Sequence, residues 1–219
     1  MPLDPKRHFP VMCLTMDGLA MPHSVQASEL CAAGAGWIQL RMKGSSRQAW
    51  LAEAKAAVDA CRPHGTILVV NDSVDIALES GADGVHLGSL DTDWREARRT
   101  LGPSSIIGGT VNNPGDGRRA VESGCLDYVG VGPLRFTATK RGLSPVIGIG
   151  GVRALVAELP GIPAWVIGGV EPADLPEIRA AGAAGAAVSS FLYRGGRVAE
   201  NFRALLGAWA QSPDPVLTP

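Results

Sequence analysis

The feature that most restricts the fold of this chain is a regular alternation of short apolar runs with alanine-rich stretches of helical periodicity. Eight such strand-plus-helix units in 219 residues give about 27 residues per unit, which suits a compact eightfold barrel. No linker interrupts the units, so we predict an α/β fold, a single-domain (β/α)8 TIM barrel. A doubly wound sheet is the alternative, but eight unbroken units favour closure.

The predicted elements follow one another in order, each strand before its helix. The predicted strands span residues 11–15, 37–41, 67–71, 84–87, 106–110, 128–132, 164–167 and 186–189. The predicted helices span residues 24–33, 47–61, 74–80, 94–101, 114–123, 152–158, 172–181 and 198–210. Ser24 and Ser73 are candidate N-caps. Four glycines stand where helices should end: Gly34, Gly81, Gly124 and Gly182.

The chain ends indicate the domain boundaries, and the cysteines indicate the cellular compartment. We expect residues 1–9 to form an N-terminal extension, residues 10–211 the barrel, and the proline-rich residues 212–219 a disordered tail. The N-terminal segment lacks the apolar run of a signal peptide, and no apolar stretch is long enough to span a membrane. The four cysteines, at positions 13, 31, 61 and 125, have no metal-binding spacing. A reduced, cytoplasmic protein is the expectation.

Composition excludes several classes of protein. The 20 basic and 21 acidic side chains give a net charge of −1, without the basic excess of a nucleic-acid binder. Glycine is abundant, at 28 residues, but it falls in no short repeat, which excludes collagen. We expect glycines at strand ends to let the backbone approach a ligand, at positions 88, 108, 109, 130, 132, 168 and 169.

The second predicted strand carries polar residues at alternate positions: Gln39, Arg41 and Lys43. Period-two alternation puts them on one face of the strand. Helices cover the outside of a barrel, so that face must point inward, where two cations are costly without a compensating anion. This pattern favours an anion site, and the alternative is an ordinary amphipathic strand with its polar face in water.

Two aspartates follow the third and fourth predicted strands, beside that cationic pair. Asp72 follows Asn71 at the end of one strand, and Asp91 lies shortly after the next. Mg²⁺ typically takes one or two carboxylates together with phosphate oxygens and water. Each aspartate alone could instead cap the following helix, but the pair beside Arg41 and Lys43 favours a metal. His86, on the fourth strand, is interpreted as a hydrogen-bonded interior residue.

The opposite side of the predicted barrel mouth has the features of a monophosphate site. Gly168 and Gly169 follow the seventh strand, and Val188 and Ser189 end the eighth. The loops after these two strands are the usual phosphate site of this fold. The glycine-rich segment at residues 147–152 is instead interpreted as the start of the sixth helix.

Taken together, the mouth suits two phosphorylated ligands. A segment with two hydroxyls and a lysine follows the sixth strand: Thr137, Ala138, Thr139 and Lys140. No convincing Ser–His–Asp or Cys–His set is present. Two phosphorylated ligands in one mouth suggest a joining reaction.

Seven segments in order resemble the thiamine-phosphate synthase family, over about residues 10–210. They are QLRMK (39–43), NDSVDIA (71–77), ADGVHLGSLD (82–91), IGGT (107–110), YVGVGPLRFTATK (128–140), VIGGV (166–170) and AVSS (187–190). Residues 11–18 match poorly, and Thr110 stands where many members have serine.

The resemblance implies a transferase of thiamine biosynthesis. It would join 4-amino-2-methyl-5-hydroxymethylpyrimidine diphosphate to a thiazole phosphate, giving thiamine phosphate and pyrophosphate. The implied mechanism is dissociative: pyrophosphate leaves first, and the thiazole nitrogen attacks the resulting pyrimidine-methyl cation. Mg²⁺ on Asp72 and Asp91 is the implied cofactor, and the two substrates are the implied partners. A monomer and a homo-oligomer are both compatible with the sequence.

The resemblance also assigns roles to residues in each matching segment. The implied catalytic residues are Arg41, Lys43, Thr110 and Lys140. The diphosphate would contact Arg41, Lys43, Asn71 and Lys140. The pyrimidine would lie near Gln39 and Thr110. The thiazole phosphate would contact Thr137, Thr139, Gly168, Gly169, Val188 and Ser189. Three neighbours in the same segments complete the implied substrate-binding set: Leu40, Met42 and Ala138.

Two other functions stay open from the sequence. Thiazole tautomerases share the fold but generally lack the full diphosphate set, which is present here. A non-catalytic thiamine-phosphate sensor is the third hypothesis, although a sensor of a monophosphate has no need for pyrophosphate ligands.

Overall fold

A computed structural model describes residues 9–136 and 145–212, and its strands form a closed parallel barrel in sequence order. The strands are β1 (Val11–Leu14), β2 (Trp37–Leu40), β3 (Ile67–Asn71), β4 (Gly84–Leu87), β5 (Ile106–Val111), β6 (Tyr128–Val131), β7 (Ala164–Ile167) and β8 (Gly185–Val188). β1 pairs with both β2 and β8, which closes the ring. The predicted (β/α)8 barrel is confirmed, and the doubly wound sheet is excluded.

Helices return the chain between the strands and cover the barrel. They are α1 (His23–Ala32), α2 (Arg47–Cys61), α3 (Val74–Ser80), α4 (Trp94–Leu101), α5 (Pro114–Ser123), α6 (Gly148–Ala157), α7 (Leu175–Ala180) and α8 (Val198–Ala210). Short 3₁₀ turns lie at Arg62–His64, Pro172–Asp174 and Arg194–Gly196. None of the described helices is long and apolar enough to cross a membrane.

The predicted helix ends are mostly correct. The four predicted stop glycines all have φ between 63° and 94°, the left-handed conformation that glycine adopts without strain. Ser73 caps α3 by accepting the N–H of Ile76. Ser24 as an N-cap is wrong, because α1 begins at His23 and the Ser24 N–H donates instead to the Glu53 carboxylate at 2.8 Å.

Two predicted helices differ from the structure. Helix α6 begins at Gly148, four residues before the predicted start, and the Gly151 N–H donates to the Ile147 carbonyl at 3.1 Å to close its first turn. The low helix propensity of glycine placed the predicted helix boundary at Val152, after this entry segment, and tertiary context overrides that propensity. The predicted helix at residues 172–181 divides into a 3₁₀ turn and α7, whose first turn contains a proline without an N–H to donate.

An aromatic cluster fills part of the barrel interior beneath the carboxyl ends of the strands. Trp37 and Trp165 have ring centroids 5.0 Å apart, and Tyr128 packs edge-on against both. Gly108 makes room for this cluster, since a Cβ there would lie 2.2 Å from the Tyr128 ring. The expectation that Gly108 serves ligand approach is therefore wrong, because its close neighbour is the protein's own core.

The ends of the described chain are attached to the barrel. The Phe9 carbonyl accepts the indole N–H of Trp165 at 3.3 Å. Ser212 is buried, and its hydroxyl donates to the Ala208 carbonyl at 2.7 Å. The described residues at both ends, Phe9 and Ser212, thus contact the barrel. The remainder of the predicted extension and tail, residues 1–8 and 213–219, lies outside the described residues.

Candidate active site

One cavity of about 470 Å³ opens at the carboxyl ends of the strands. Its apolar wall includes Met12, Leu14, Tyr128, Trp165 and Ile167, and polar groups from the strand ends lie around this wall. This combination of apolar surface with a few converging polar groups is typical of a small-molecule site. Its place at the carboxyl face is the place of active sites in this fold.

The cationic end of β2 forms one side of the cavity. Gln39, Arg41 and Lys43 all line it, as their alternation in the sequence predicts. Leu40, between them, is fully buried in the apolar layer beneath the helices. Neither Leu40 nor Met42 is among the described residues that line the cavity.

Asp17, in the loop after β1, is the acidic partner of this cationic strand end. Its carboxylate accepts the Lys43 main-chain N–H at 3.2 Å and lies 3.8 Å from the Arg41 guanidinium. His23 Nε2 lies 3.2 Å from the same carboxylate, and Thr15 Oγ1 accepts the Arg41 N–H at 2.9 Å. The loop after β1 therefore holds both cations at the cavity.

Asp72 has a backbone conformation that few side chains adopt. Its φ of 67° makes it the only non-glycine residue with positive φ in the described part of the chain. The Asp72 N–H donates to the His86 carbonyl at 2.8 Å, and its carboxylate forms an ion pair with Lys43. Such strained residues concentrate at functional sites. Because Ser73 caps α3, Asp72 does not serve as that cap.

Asp91 faces the cavity beside Asp72. Its carboxylate accepts the Gly88 N–H at 2.7 Å. Burial raises the pKa of Asp91, and the neighbouring Asp72 carboxylate raises it further. The cap of α4 is Asp93, not Asp91. Both alternative cap roles are thus excluded.

The two carboxylates fit a divalent cation. The Asp72 carboxylate is close enough to raise the pKa of Asp91, and the Lys43 ammonium is a cation already held at Asp72. Within residues 9–136 and 145–212, no group of three or more His, Cys, Asp or Glu side chains surrounds a metal position. Two carboxylates completed by phosphate oxygens and water match the preference of Mg²⁺.

A hydrogen-bonded chain of buried side chains crosses the cavity floor. Gln39 donates to the Tyr128 hydroxyl, which lies 3.0 Å from His86 Nδ1. His86 Nε2 lies 3.0 Å from Thr110 Oγ1. Burial raises the pKa of Tyr128 far above its usual value, so its hydroxyl keeps its proton and stays uncharged. The predicted interior role of His86 is confirmed.

The far side of the cavity is built by the loops after β7 and β8. Gly168 and Gly169 line it with φ of 103° and 69°. Val188 and Ser189 line it from the end of β8. The Ser189 hydroxyl oxygen is buried and has no hydrogen-bond partner in the described structure. A buried polar atom without a partner is costly, so this hydroxyl is suited to a ligand.

The structure brings together most of the predicted site residues. Asn71, Asp72, Asp91 and Thr110 line the same cavity as the residues described above. Thr137, Ala138, Thr139 and Lys140 lie outside the described residues. Sequence reasoning missed several lining residues: Met12, Leu14, Asn112, Pro133 and Trp165. The apolar ones carry no signal that separates a cavity wall from an ordinary core strand.

The glycine-rich segment at residues 147–152 does not contribute to the cavity. The glycine-rich segment forms the first turn of α6, and none of its residues is among the described residues that line the cavity. Its interpretation as the start of a helix is confirmed.

Comparison with known proteins identifies the family. A family model described as thiamine monophosphate synthase matches residues 11–192. The thiamine-phosphate synthase of Bacteroides fragilis is 39% identical over 187 residues, which cover 84% of this chain and 83% of that protein. The thiamine-phosphate synthase of Laribacter hongkongensis is 40% identical over 182 residues, covering 83% and 82%.

A solved structure agrees with these relatives. Thiamine phosphate pyrophosphorylase from Pyrococcus furiosus superposes with a TM-score of 0.83 at 28% identity, covering 94% of this chain and 98% of that one. The model match extends over most of the barrel, from β1 to the segment after β8. By sequence and by fold, the chain belongs to the thiamine monophosphate synthase family.

Proposed function

We propose that this protein is a thiamine-phosphate synthase, a transferase that joins 4-amino-2-methyl-5-hydroxymethylpyrimidine diphosphate to a thiazole phosphate. The observation that carries the proposal is the division of one cavity into two unlike sides. Arg41, Lys43 and two carboxylates line one side, and a glycine loop with the unpartnered Ser189 hydroxyl lines the other. Family membership and curated relatives at about 40% identity support the same reaction.

The diphosphate belongs on the cationic side. Arg41 and Lys43 would neutralise its charge, and Asn71, which lines the cavity beside them, adds a hydrogen-bonding amide. Asp72 and Asp91 would hold Mg²⁺ through their carboxylates, with phosphate oxygens and water completing its coordination. When bound there, Mg²⁺ supplies charge stabilisation to the departing pyrophosphate.

The pyrimidine belongs over the cavity floor. Gln39 and Thr110 lie at the two ends of the hydrogen-bonded chain through Tyr128 and His86. Thr110 Oγ1 lies 3.0 Å from His86 Nε2 and lines the cavity, so this chain fixes the position of the Thr110 hydroxyl beside the ligand. Preorganised donors of this kind orient a substrate without reorganisation at the moment of reaction.

The thiazole phosphate belongs on the opposite side, with its phosphate at Gly168, Gly169, Val188 and Ser189. Main-chain N–H groups at such loops bind phosphate because their dipoles point at the anion. With both ligands bound, pyrophosphate would leave first, and the thiazole nitrogen would attack the pyrimidine-methyl cation. The chain's main contribution is then positioning together with neutralisation of leaving-group charge. Thr137, Thr139 and Lys140 are proposed to contribute from the loop after β6.

A coupled assay tests the proposal. The purified protein is incubated with both substrates, with Mg²⁺ or with a chelator, and thiamine phosphate and pyrophosphate are measured. We expect equal amounts of the two products and none with the chelator. Isomerisation of a thiazole carboxylate phosphate without the pyrimidine substrate would instead indicate a tautomerase. Tight binding of thiamine phosphate without turnover would indicate a sensor.

A further inference from the structure

Arg135, in the loop after β6, binds both carbonyl groups of the glycine loop after β7. Its main-chain N–H donates to the Gly168 carbonyl at 3.1 Å, and its Nη1 donates to the Gly169 carbonyl at 2.7 Å. One residue therefore fixes the orientation of two successive peptide groups. Both glycines have positive φ, a conformation that glycine does not favour over others, so the loop depends on outside contacts to stay in it.

Asp174 holds the Arg135 guanidinium from its other side. Nη1 and Nη2 of Arg135 donate to the two carboxylate oxygens at 2.8 and 2.5 Å. The same carboxylate accepts the Glu171 N–H at 2.8 Å. Bidentate pairs of this kind are directional as well as strong. The loop after β6, the glycine loop and the turn at Pro172–Asp174 are thereby joined through one guanidinium.

The packing of Arg135 fits the same arrangement. A Cβ on Gly169 would lie 2.6 Å from Arg135 Cγ, so the stem of the arginine rests directly on that glycine. A Cβ on Gly168 would lie 2.7 Å from Pro133. Arg135 itself is not among the described residues that line the cavity. Its influence on a ligand must therefore pass through the glycine loop.

The consequence for an anion follows from the direction of the peptide dipoles. A carbonyl oxygen turned toward a phosphate repels it, and an N–H attracts it. With both carbonyls held by Arg135, the N–H groups of the same peptides point to the opposite side of the loop. Among the described residues, none accepts a hydrogen bond from the N–H of Gly169 or Val170, and both residues line the cavity beside the unpartnered Ser189 hydroxyl.

We propose that Arg135 is a positioning residue for the thiazole phosphate: it holds the Gly168 and Gly169 carbonyls away from the phosphate and leaves the N–H groups of the loop to bind it. The inference rests on the proposed function, because that function supplies the ligand. The residue acts on only one of the two substrates, since Arg135 has no described contact with the cationic side of the cavity.

Calorimetric binding tests the proposal without requiring turnover. The probes are hydroxyethylthiazole phosphate for the glycine-loop side and pyrophosphate with Mg²⁺ for the cationic side. We expect Arg135→Ala to weaken thiazole phosphate binding by about tenfold, which corresponds to about 1.4 kcal/mol, and to leave pyrophosphate binding within twofold. The affinity of Arg135→Lys for thiazole phosphate should lie between those of wild type and Arg135→Ala. A lysine has a single ammonium, whereas the guanidinium donates from two separate nitrogens. Asp174→Asn should weaken the same ligand by a smaller factor.

Arg119→Ala is the matched control, because Arg119 is a comparably exposed arginine that pairs with Asp116 at 3.0 Å, away from the glycine loop. It should leave both affinities unchanged. Thiazole phosphate binding within twofold of wild type in Arg135→Ala would overturn the inference, and so would an equal loss of pyrophosphate binding, which would indicate general unfolding. Steady-state kinetics distinguishes failure of this inference from failure of the proposed function. Wild-type protein that binds thiazole phosphate through Arg135 but makes no product would refute the synthase and leave the inference standing.

Discussion

The carboxylate of Asp17 accepts the main-chain N–H of Lys43 at 3.2 Å, which attaches the loop after β1 to the cationic end of β2. The same carboxylate lies 3.8 Å from the Arg41 guanidinium and 3.2 Å from His23 Nε2. Arg41 and Lys43, which are proposed to bind the diphosphate, therefore both depend on one acidic side chain. Asp17 itself is not among the described residues that line the cavity.

Asp17→Ala should raise the KM for the pyrimidine diphosphate, because Lys43 loses a main-chain anchor and Arg41 loses its counter-charge. We expect an increase of roughly tenfold, or about 1.4 kcal/mol, with little change in the KM for the thiazole phosphate. Asp59→Ala is the control, since Asp59 is an exposed aspartate of α2 paired with Arg62 in the 3₁₀ turn that follows. Equal changes in both KM values would contradict a role confined to the cationic side.

The barrel and much of this cavity could be predicted because they depend on patterns local in sequence. Alternation along β2 turns Gln39, Arg41 and Lys43 to one face, and barrel closure makes that face the inner one. Asp72 and Asp91 follow adjacent strands, so their closeness follows from parallel strand order. Each of these steps needs only the period of the elements and their sequence.

The rest depends on contacts that no local pattern encodes. His86 and Tyr128 are 42 positions apart and meet only inside the closed barrel. Arg135 is a single arginine in a loop, and its pairing with Asp174 spans 39 positions. Asp17 lies outside the seven segments that carry the resemblance to the family, so neither motif nor periodicity distinguishes it from other exposed aspartates.

His86→Gln should impair recognition of the pyrimidine, because it breaks the chain that holds Gln39 at one end and Thr110 at the other. The expected result is a KM for the pyrimidine diphosphate raised by about tenfold, or about 1.4 kcal/mol, with calorimetric affinity for thiazole phosphate unchanged. Tyr128→Phe should act in the same direction. His64→Gln changes an exposed histidine of the turn at Arg62–His64 and should leave both values at wild type. An unaltered KM in His86→Gln would show that the chain is structural only.

Asp91→Asn should stabilise the metal-free protein while abolishing activity. Burial, with a smaller effect of Asp72, raises the pKa of Asp91 above its unfolded value. The folded form therefore holds this proton to higher pH than the unfolded form, so the free energy of unfolding falls as pH rises through that interval. Asparagine does not ionise, so the variant avoids this fall in the free energy of unfolding. Its side-chain oxygen can still accept the Gly88 N–H.

Thermal unfolding at neutral pH checks this prediction. The metal-free variant should melt at a higher temperature than metal-free wild type, and for a domain of this size ~1 kcal/mol corresponds to roughly 2–4 °C. Added Mg²⁺ should raise the melting temperature of wild type and have little effect on Asp91→Asn. If the variant melts below wild type without metal and responds equally to Mg²⁺, the carboxylate pair is not a cation site.

Ser189→Ala should separate ligand binding from stability on the glycine-loop side. The hydroxyl oxygen is buried without a partner in the described structure, so removing it eliminates an unsatisfied polar group and should leave the melting temperature equal or slightly higher. A phosphate that uses this hydroxyl loses a hydrogen bond to a charged group, worth roughly 1.5–3 kcal/mol. Calorimetry should therefore record weaker binding of thiazole phosphate by about tenfold or more, with pyrophosphate affinity as the internal reference. A variant that binds thiazole phosphate as tightly as wild type would move the phosphate away from the end of β8 and leave the glycine loop as its main contact.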